Sequence, residues 1–195
     1  MTKKSGKVRK MRIGSRDFAT TGHTYIMGIL NVTPDSFSDG GKFNQIDAAL
    51  KHAEEMIGDG ADVIDIGGES TRPGYTKISD EEETDRVVPV IEAVKKEFEI
   101  PISVDTYKSG VAEAAAEAGA DLINDIWGLK YDARMAEVIA KSGLACCLMH
   151  NRDNTEYRNF MEDMKQNLRE TIALAKAAGI ADDKIILDPG VGFAK

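Results

Sequence analysis

The sequence predicts an α/β protein with parallel strands, built as a (β/α)8 TIM barrel of which about six β/α units are present in this chain. Two observations lead to this fold class: short apolar runs alternate with longer amphipathic segments, and polar residues follow each apolar run. Strand–helix–strand connections of this kind are right-handed and give a parallel sheet. A complete barrel usually needs about 250 residues, whereas this chain has 195.

Six strands and five intervening helices are predicted in alternation. The strands are 25–30, 61–66, 102–104, 121–124, 144–149 and 184–187, and the helices are 47–57, 80–98, 107–118, 131–141 and 157–178. Ser79 is placed to cap the second helix, in which Pro89 predicts a kink or a later start. Gly119, Gly143 and Gly179 each follow a predicted helix, as glycine commonly does at helix C-termini.

The chain divides into residues 1–22, a basic N-terminal tail with a possible β-hairpin, and residues 23–195, an incomplete barrel domain. The tail has several lysines and arginines but no apolar stretch of the kind found in signal peptides. We interpret it as a solvated tail; a nucleic-acid-binding arm is the less favoured alternative, because one short basic run is weak support.

Composition excludes several classes of protein. Hydrophobic residues make up 42% and charged residues 30% of the chain, which is typical of globular rather than disordered proteins. The net charge of −8 disfavours nucleic acid and anionic membranes as partners. No apolar stretch is long enough for a transmembrane helix. Cys146 and Cys147 are adjacent in a predicted strand, point to opposite faces, and so predict reduced thiols and a cytoplasmic protein.

Polar residues gather after every predicted strand, where parallel β/α proteins place their functional loops. They are Asn31, Thr33, Asp35 and Ser36; residues 67–72; Asp105 and Thr106; Asn124 and Asp125; His150 and Asn151; and Asp188. Any one of them is as readily a turn former or a helix cap. Convergence from six strand ends favours a barrel over a doubly wound sheet, in which only the strands at the switch point would contribute.

These residue types suit an anion and a planar heterocycle. Residues 67–72 combine backbone amides, two hydroxyls and the Arg72 guanidinium, which are donors for phosphate or pyrophosphate. Asn31 offers a carbonyl oxygen that suits Mg²⁺ beside phosphate oxygens. Asp105, Asn124 and Asp188 are suited to a heterocycle with paired N–H groups.

Two long ordered motifs are specific enough to indicate a family. Residues 27–41 (MGILNVTPDSFSDGG) and 60–74 (GADVIDIGGESTRPG) resemble the two signatures of the dihydropteroate synthase family, and further matches surround Asp105, Asn124, His150 and Asp188. The resemblance implies an eight-stranded barrel with its site at the C-terminal face. It implies a transferase that joins para-aminobenzoate to hydroxymethyl-dihydropterin pyrophosphate, giving dihydropteroate and pyrophosphate in folate synthesis.

The resemblance also implies roles for nine residues. Asp105, Asn124 and Asp188 would hold the pterin, and Thr71 and Arg72 would bind the pyrophosphate. Asn31 would bind Mg²⁺, and the aminobenzoate pocket would include Phe37, Pro73 and Phe193. Asp105 and Arg72 are the expected catalytic residues. Arg72 would neutralise the leaving group, and Asp105 would stabilise the cationic methylene that its departure leaves.

The family also uses a lysine in an SRK motif after strand seven, and an arginine and a histidine in an RxH motif after strand eight. Neither motif occurs in this chain. We therefore expect an incomplete sequence or a fragment rather than a naturally finished protein, with exposed edge strands and little turnover. Completion by a partner chain that supplies the missing quarter is the other explanation. Family members commonly dimerise through barrel helices, which implies a homodimer for the complete enzyme.

Two other functions stay open. A pterin-binding barrel for corrinoid methyl transfer would also use Asp and Asn, but it needs no pyrophosphate site, so the 31–41 and 70–74 segments argue against it. Thermal protection by Mg²⁺ with pyrophosphate would discriminate between the two. A non-catalytic pterin-binding fragment would bind a pterin analogue without turnover, which calorimetry would detect.

Overall fold

The computed structural model describes residues 10–33, 42–70 and 76–193. In chain order the elements are β1 (Lys10–Ile13), β2 (Arg16–Ala19), β3 (Met27–Asn31), α1 (Lys42–Gly58), β4 (Val63–Gly67), α2 (Asp80–Glu97), β5 (Ile102–Asp105), α3 (Ser109–Ala118), β6 (Leu122–Asp125), α4 (Met135–Ser142), β7 (Ala145–Met149), α5 (Phe160–Ala177) and β8 (Ile185–Asp188). Strands β3 to β8 form one parallel sheet in sequential order. That order is the one found in a β/α barrel, whereas strand order reverses at the switch point of a doubly wound sheet.

Helix α2 shows how local sequence sets an element's start. Ser79 Oγ accepts a hydrogen bond from the Glu82 backbone nitrogen at 3.1 Å, which confirms the predicted cap. The helix begins at Asp80 and continues past Pro89, so the later start that Pro89 suggested is wrong. Pro89 costs the helix a backbone hydrogen bond. The buried side chains of Val87 and Ile91, on the same helix, offset that cost.

Helix α4 begins at Met135, four residues later than the 131 expected from periodicity. Asp132 explains the later start, because its carboxylate accepts hydrogen bonds from two backbone nitrogens. A helix that began at residue 131 could not supply these bonds. Its Oδ1 accepts from the Arg134 nitrogen at 2.9 Å, and its Oδ2 accepts from the Ser109 nitrogen at 2.9 Å. Asp132 thus forms a turn before α4 and caps the start of α3.

The two faces of the large sheet have different neighbours, because alternate residues of a strand point to opposite sides. Outward residues such as Ile64, Ile102 and Leu148 are fully buried in the core that the helices cover. At the amino-terminal end of the inner face, the antiparallel hairpin β1–β2 packs against the strands. This second core contains Met11, Ile13, Phe18, Val63, Leu122 and Ala145. The hairpin therefore fills the amino-terminal end of the interior and leaves the carboxyl-terminal end for polar residues.

Strands β3 and β8 are the edges of the sheet in the described part of the chain. Ile29, which shares the inner face with Asn31, is 63% exposed, and Leu187 on β8 is 38% exposed. A closed barrel has no edge strands and buries such side chains. The exposed edges agree with the six units that the sequence predicted.

The two cysteines are free thiols on opposite faces of β7. Cys146 packs in the core beneath the helices, and Cys147 lies beside the inner-face cluster. Burial raises the pKa of each thiol to about 12, so both are neutral and neither is an activated nucleophile. Within the described ranges, no helix combines the length and the apolar character needed to cross a bilayer.

Candidate active site

The carboxyl ends of the strands bring the predicted polar residues together on the inner face. Strand register places Asn31, Gly67, Asp105 and Asn124 side by side across β3 to β6. Asp188 lies across from Met149 of β7, two residues beyond Cys147, which pairs with Asn124. Since residues two apart share a face, the four predicted polar residues Asn31, Asp105, Asn124 and Asp188 all face the interior.

Gly67 separates two of these residues. A Cβ atom at this position would lie 3.7 Å from Asn31 Oδ1 and 3.8 Å from Asp105 Oδ2. An amide oxygen and a carboxylate oxygen therefore approach the same gap from neighbouring strands. Oxygen atoms in this arrangement suit a hard cation or the N–H groups of a ligand.

Asp105 has the electrostatics of a ligand-binding carboxyl group. Its Oδ1 atom is buried and has no hydrogen-bond partner among the described residues. Burial is the largest cause that raises its pKa well above the usual range, and nearby carboxylates raise it further. Those carboxylates are Asp65, Glu83, Asp125 and Glu69. A buried polar atom without a partner is costly, so this oxygen is a candidate contact for a ligand.

Asp65 orients Asn124 from the amino-terminal side of the inner row, and the sequence patterns did not single out this residue. The Asn124 Nδ2 atom donates to Asp65 Oδ2 at 3.1 Å, which leaves its carbonyl oxygen for a ligand. Asp65 is 5% exposed. Burial raises its pKa, although the nearby Ser103 hydroxyl and the hydrogen bond from Asn124 oppose this. The available signal was an acidic residue inside an otherwise apolar strand.

Asp188 is held by the loop that follows it. The Gly190 nitrogen donates to Asp188 Oδ1 at 2.7 Å, and the His150 nitrogen donates to the Asp188 carbonyl oxygen at 2.9 Å. The His150 ring is buried, with Nε2 3.2 Å from Asn167 Nδ2 of α5. His150 thus packs between β7 and α5, which favours a structural role for it.

The remaining predicted residues divide into one that is described and four that are not. Phe193 packs against a small apolar cluster of Tyr107, Ile126 and Met149 near the carboxyl ends of the strands. That position is compatible with the predicted aminobenzoate pocket, which stays a prediction. Phe37, Thr71, Arg72 and Pro73 lie outside the described residues, and their roles also stay predictions.

Asp125 is a strand-end carboxyl group with a structural role. It lies on the outer row of β6, paired with Leu148, and accepts backbone hydrogen bonds from Trp127 at 2.8 Å and Leu129 at 2.7 Å. Burial raises its pKa to about 6, although these hydrogen bonds lower it. Asp125 therefore stabilises the turn after β6 and does not face the interior.

Replacement of Asp125 by asparagine is expected to change how stability depends on pH. Because the pKa of Asp125 is raised on folding, its contribution to stability is full below its unfolded value of 3.8 and is lost as pH rises through about 6. Asparagine cannot ionise. The free energy of unfolding of Asp125→Asn, relative to wild type, should thus increase by about 2 kcal/mol between pH 4 and pH 8. Urea denaturation across this range measures the difference, and a constant offset would contradict the prediction.

A buried ionic cluster formed by Glu69, Glu83 and Lys108, here called the Lys108 cluster, was also not predicted from the sequence. Lys108 Nζ lies 2.8 Å from Glu69 Oε2 and 2.6 Å from Glu83 Oε2. The sequence feature that could have revealed this cluster is a lysine directly before helix α3, where the helix dipole disfavours a cation.

Comparisons with known proteins identify the family. Residues 27–195 match the family model of pterin binding enzymes. The chain belongs to the pterin-binding enzyme family. It is 65% identical over 185 residues to the dihydropteroate synthase of Clostridium beijerinckii, covering 95% of this chain and 69% of that protein. It is 58% identical over 172 residues to that of Bacillus subtilis, covering 88% of this chain and 60% of that protein.

Solved structures agree. One is a dihydropteroate synthase from Clostridium difficile determined in the presence of pteroic acid, with a TM-score of 0.86, 52% identity, and coverage of 94% of this chain and 67% of that one. Another is the Xanthomonas albilineans enzyme with 4-aminobenzoic acid, with a TM-score of 0.89, 39% identity, and coverage of 97% and 69%. These matches confirm the barrel fold class, the family resemblance, and the assignment of the chain to transferases of the dihydropteroate synthase type.

Proposed function

We propose that the protein carrying this chain joins para-aminobenzoate to hydroxymethyl-dihydropterin pyrophosphate and releases pyrophosphate. The observation that carries this proposal is the inner row of Asn31, Gly67, Asp105 and Asn124, in which a buried Asp105 oxygen faces the interior without a partner among the described residues. The pteroic acid and 4-aminobenzoic acid named for the structural relatives support the same two substrates.

The pterin is the substrate that this row suits. Its ring presents N–H donors and ring acceptors in one plane, and the carboxyl groups of Asp105 and Asp188 accept such donors. Asn124 contributes its carbonyl oxygen, because its amide nitrogen is bound to Asp65. Specificity then arises because a heterocycle without matching donors would leave these buried acceptors unpaired.

Magnesium and pyrophosphate complete the proposal. Asn31 fits Mg²⁺ chemically, because its Oδ1 is a hard oxygen ligand that faces the gap above Gly67. A single protein ligand is common for Mg²⁺ that also contacts substrate phosphates. When bound, the ion would neutralise charge on the leaving pyrophosphate. Thr71 and Arg72 are the proposed protein contacts of that group.

The reaction breaks the bond between the pterin methylene carbon and the pyrophosphate oxygen, and the electron pair departs with pyrophosphate. The aminobenzoate nitrogen then bonds to that carbon and loses a proton. Positive charge on the methylene would favour the ionised form of Asp105, whose pKa is raised in the free site. Such an electrostatic role requires no protein nucleophile, and the inner-face Cys147 is a neutral thiol.

Two further parts of the proposal concern the complete protein. A homodimer rests on the family resemblance alone, and sedimentation of the complete protein tests it. A cytoplasmic setting is supported by the two free thiols of Cys146 and Cys147.

An assay of pyrophosphate release tests the proposed function. Release should require the pterin substrate, para-aminobenzoate and Mg²⁺ together, and product should be detected as dihydropteroate. We expect the 195-residue chain to bind hydroxymethylpterin with little turnover, and a longer form that includes the SRK and RxH motifs to be active. Robust turnover by the 195-residue chain would contradict the expectation that this chain turns over little substrate. Absence of both pterin binding and turnover in the longer form would exclude the function.

A further inference from the structure

Lys108 is the centre of the Lys108 cluster, and all three of its ammonium donors are used. Its Nζ atom donates to Glu69 Oε2 at 2.8 Å, to Glu83 Oε2 at 2.6 Å and to the Ile78 carbonyl oxygen at 2.9 Å. The side chains of Lys108, Glu69 and Glu83 are 7%, 3% and 1% exposed. Three ionisable side chains are therefore buried together. They lie beside the site but do not belong to the inner row.

The cluster joins three parts of the fold. Glu69 follows strand β4, Glu83 lies in the first turn of helix α2, and Lys108 follows strand β5. The Ile78 nitrogen donates to Glu69 Oε2 at 2.8 Å, so both backbone groups of Ile78 bind the cluster. Tyr107 donates its hydroxyl to Glu69 Oε1. Together these bonds tie the chain that leaves β4 to the chain that enters α2.

The charges of the cluster are maintained by its own contacts. Burial alone would raise the pKa of Glu69, but hydrogen bonds from Lys108 and Tyr107 lower it overall. Burial alone would lower the pKa of Lys108, but its bonds to Glu69 and Glu83 raise it overall. Burial raises the pKa of Glu83 despite its bond to Lys108. Lys108 and Glu69 thus form a charged pair in a buried position.

Stability alone is a weak reason for such a cluster. Buried ion pairs can often be replaced by apolar residues of similar volume without loss of stability. Lys108 also precedes helix α3, where the helix dipole opposes its charge. The cluster provides directional hydrogen bonds, which an apolar contact would not. These bonds set the distance between Glu69 and Ile78.

We propose that Lys108 is a positioning residue that fixes the two described chain ends, 68–70 and 76–79, between which Thr71 and Arg72 lie in the sequence. This inference rests on the proposed function, in which Thr71 and Arg72 contact the pyrophosphate. Gly68 supports it, because the Arg86 guanidinium donates to the Gly68 carbonyl oxygen at 2.8 Å and binds the first chain end a second time. The proposed role of Lys108 is to position and not to contact substrate, because its three donors are used by Glu69, Ile78 and Glu83.

The proposal predicts a selective defect. Without Lys108, only the bond from the Ile78 nitrogen to Glu69 still joins the two chain ends. Their spacing is then fixed less tightly, so affinity for pyrophosphate with Mg²⁺ should fall at least tenfold. Affinity for hydroxymethylpterin, which the inner row binds, should change less than twofold. A role limited to stability would not separate these two affinities.

The test uses the complete protein and a double variant, Lys108→Met with Glu83→Leu. Lys108→Met alone leaves Glu69 and Glu83 buried without their ammonium partner and can prevent folding. The double variant removes the Glu83 carboxylate, and Glu69 keeps its bonds from Tyr107 and the Ile78 nitrogen. Lys95→Met is the matched control, because Lys95 also forms a short ion pair, with Asp121 at 2.6 Å, but that pair precedes strand β6 at the opposite end of the sheet. Calorimetry with Mg²⁺–pyrophosphate and with hydroxymethylpterin gives the two affinities.

Three results decide the proposal. A cooperatively folded double variant that loses pyrophosphate affinity but keeps hydroxymethylpterin affinity supports it, provided that Lys95→Met keeps both. A folded double variant with unchanged pyrophosphate affinity overturns it, as does a parallel loss of both affinities. If the wild-type protein binds neither probe and shows no turnover, the proposed function itself has failed, and the inference that rests on it falls too.

Discussion

In the complete protein, Asp105→Asn is expected to lower turnover by on the order of 100- to 1,000-fold, the cost typical of removing one preorganised electrostatic contact from an active site. The carboxylate would stabilise the positive charge that develops on the pterin methylene, and a neutral amide cannot. Asparagine is nearly the same size as aspartate, so the fold should not change. Single-turnover measurements with saturating substrates separate this chemical step from binding.

Asp105→Asn should lower activity but raise the stability of the fold. Burial and the neighbouring carboxylates raise the pKa of Asp105 well above its usual value. Its contribution to stability is therefore full below the unfolded pKa and is lost as pH rises through the raised value. Because asparagine does not ionise, Asp105→Asn should unfold at a higher urea concentration than wild type at alkaline pH, with a smaller difference at acidic pH.

Asp125→Asn is the matched control for this experiment. Both residues are buried acids with raised pKa values on adjacent strands, but only Asp105 faces the interior. Both variants should show the same trend of stability with pH, and only Asp105→Asn should lose turnover. Comparable activity in the two variants would remove Asp105 from the proposed mechanism.

Much of the fold was predictable because the barrel repeats one unit. Each strand needs an apolar outer face for the helices. Helices α3 and α4 end where Gly119 and Gly143 adopt left-handed conformations, whereas α2 ends at Phe98 in an extended conformation. Helix starts were less predictable, because they depend on side chains that bind backbone groups far along the chain. Asp132 is one example, since it binds the Ser109 nitrogen as well as its own turn.

Site residues could be predicted where they directly follow strands. They could not be predicted where they lie inside a strand, as Asp65 does, or outside the inner row, as the Lys108 cluster does. Asn31, Asp105, Asn124 and Asp188 were found because strand ends converge in a parallel barrel. Asp65 was missed because an acid inside an apolar strand gives no periodic signal. The Lys108 cluster was missed for a different reason. Its members are separated by up to 39 positions, and only folding shows that they are in contact.

Gly190→Ala is expected to destabilise the protein by roughly 3 kcal/mol, of which about 1 kcal/mol comes from the positive φ and the rest from overpacking. Gly190 has a φ of +66°, and a Cβ atom there would lie 2.5 Å from the His150 carbonyl oxygen and 2.9 Å from Met149 Cγ. The carbonyl is backbone, so the chain after β8 must move away. Urea denaturation measures the loss.

The same movement should weaken pterin binding, because the Gly190 nitrogen is a hydrogen-bond donor to Asp188 Oδ1. We expect affinity for hydroxymethylpterin to fall roughly tenfold, equivalent to about 1.4 kcal/mol. Gly192→Ala is the matched control, since Gly192 has a φ of +96° but a Cβ atom there would meet no described atom within 4 Å. It should cost only about 1 kcal/mol and leave pterin affinity unchanged. If both variants lose pterin affinity equally, then backbone strain in the 189–193 loop, rather than the contact with His150, determines how Asp188 is held.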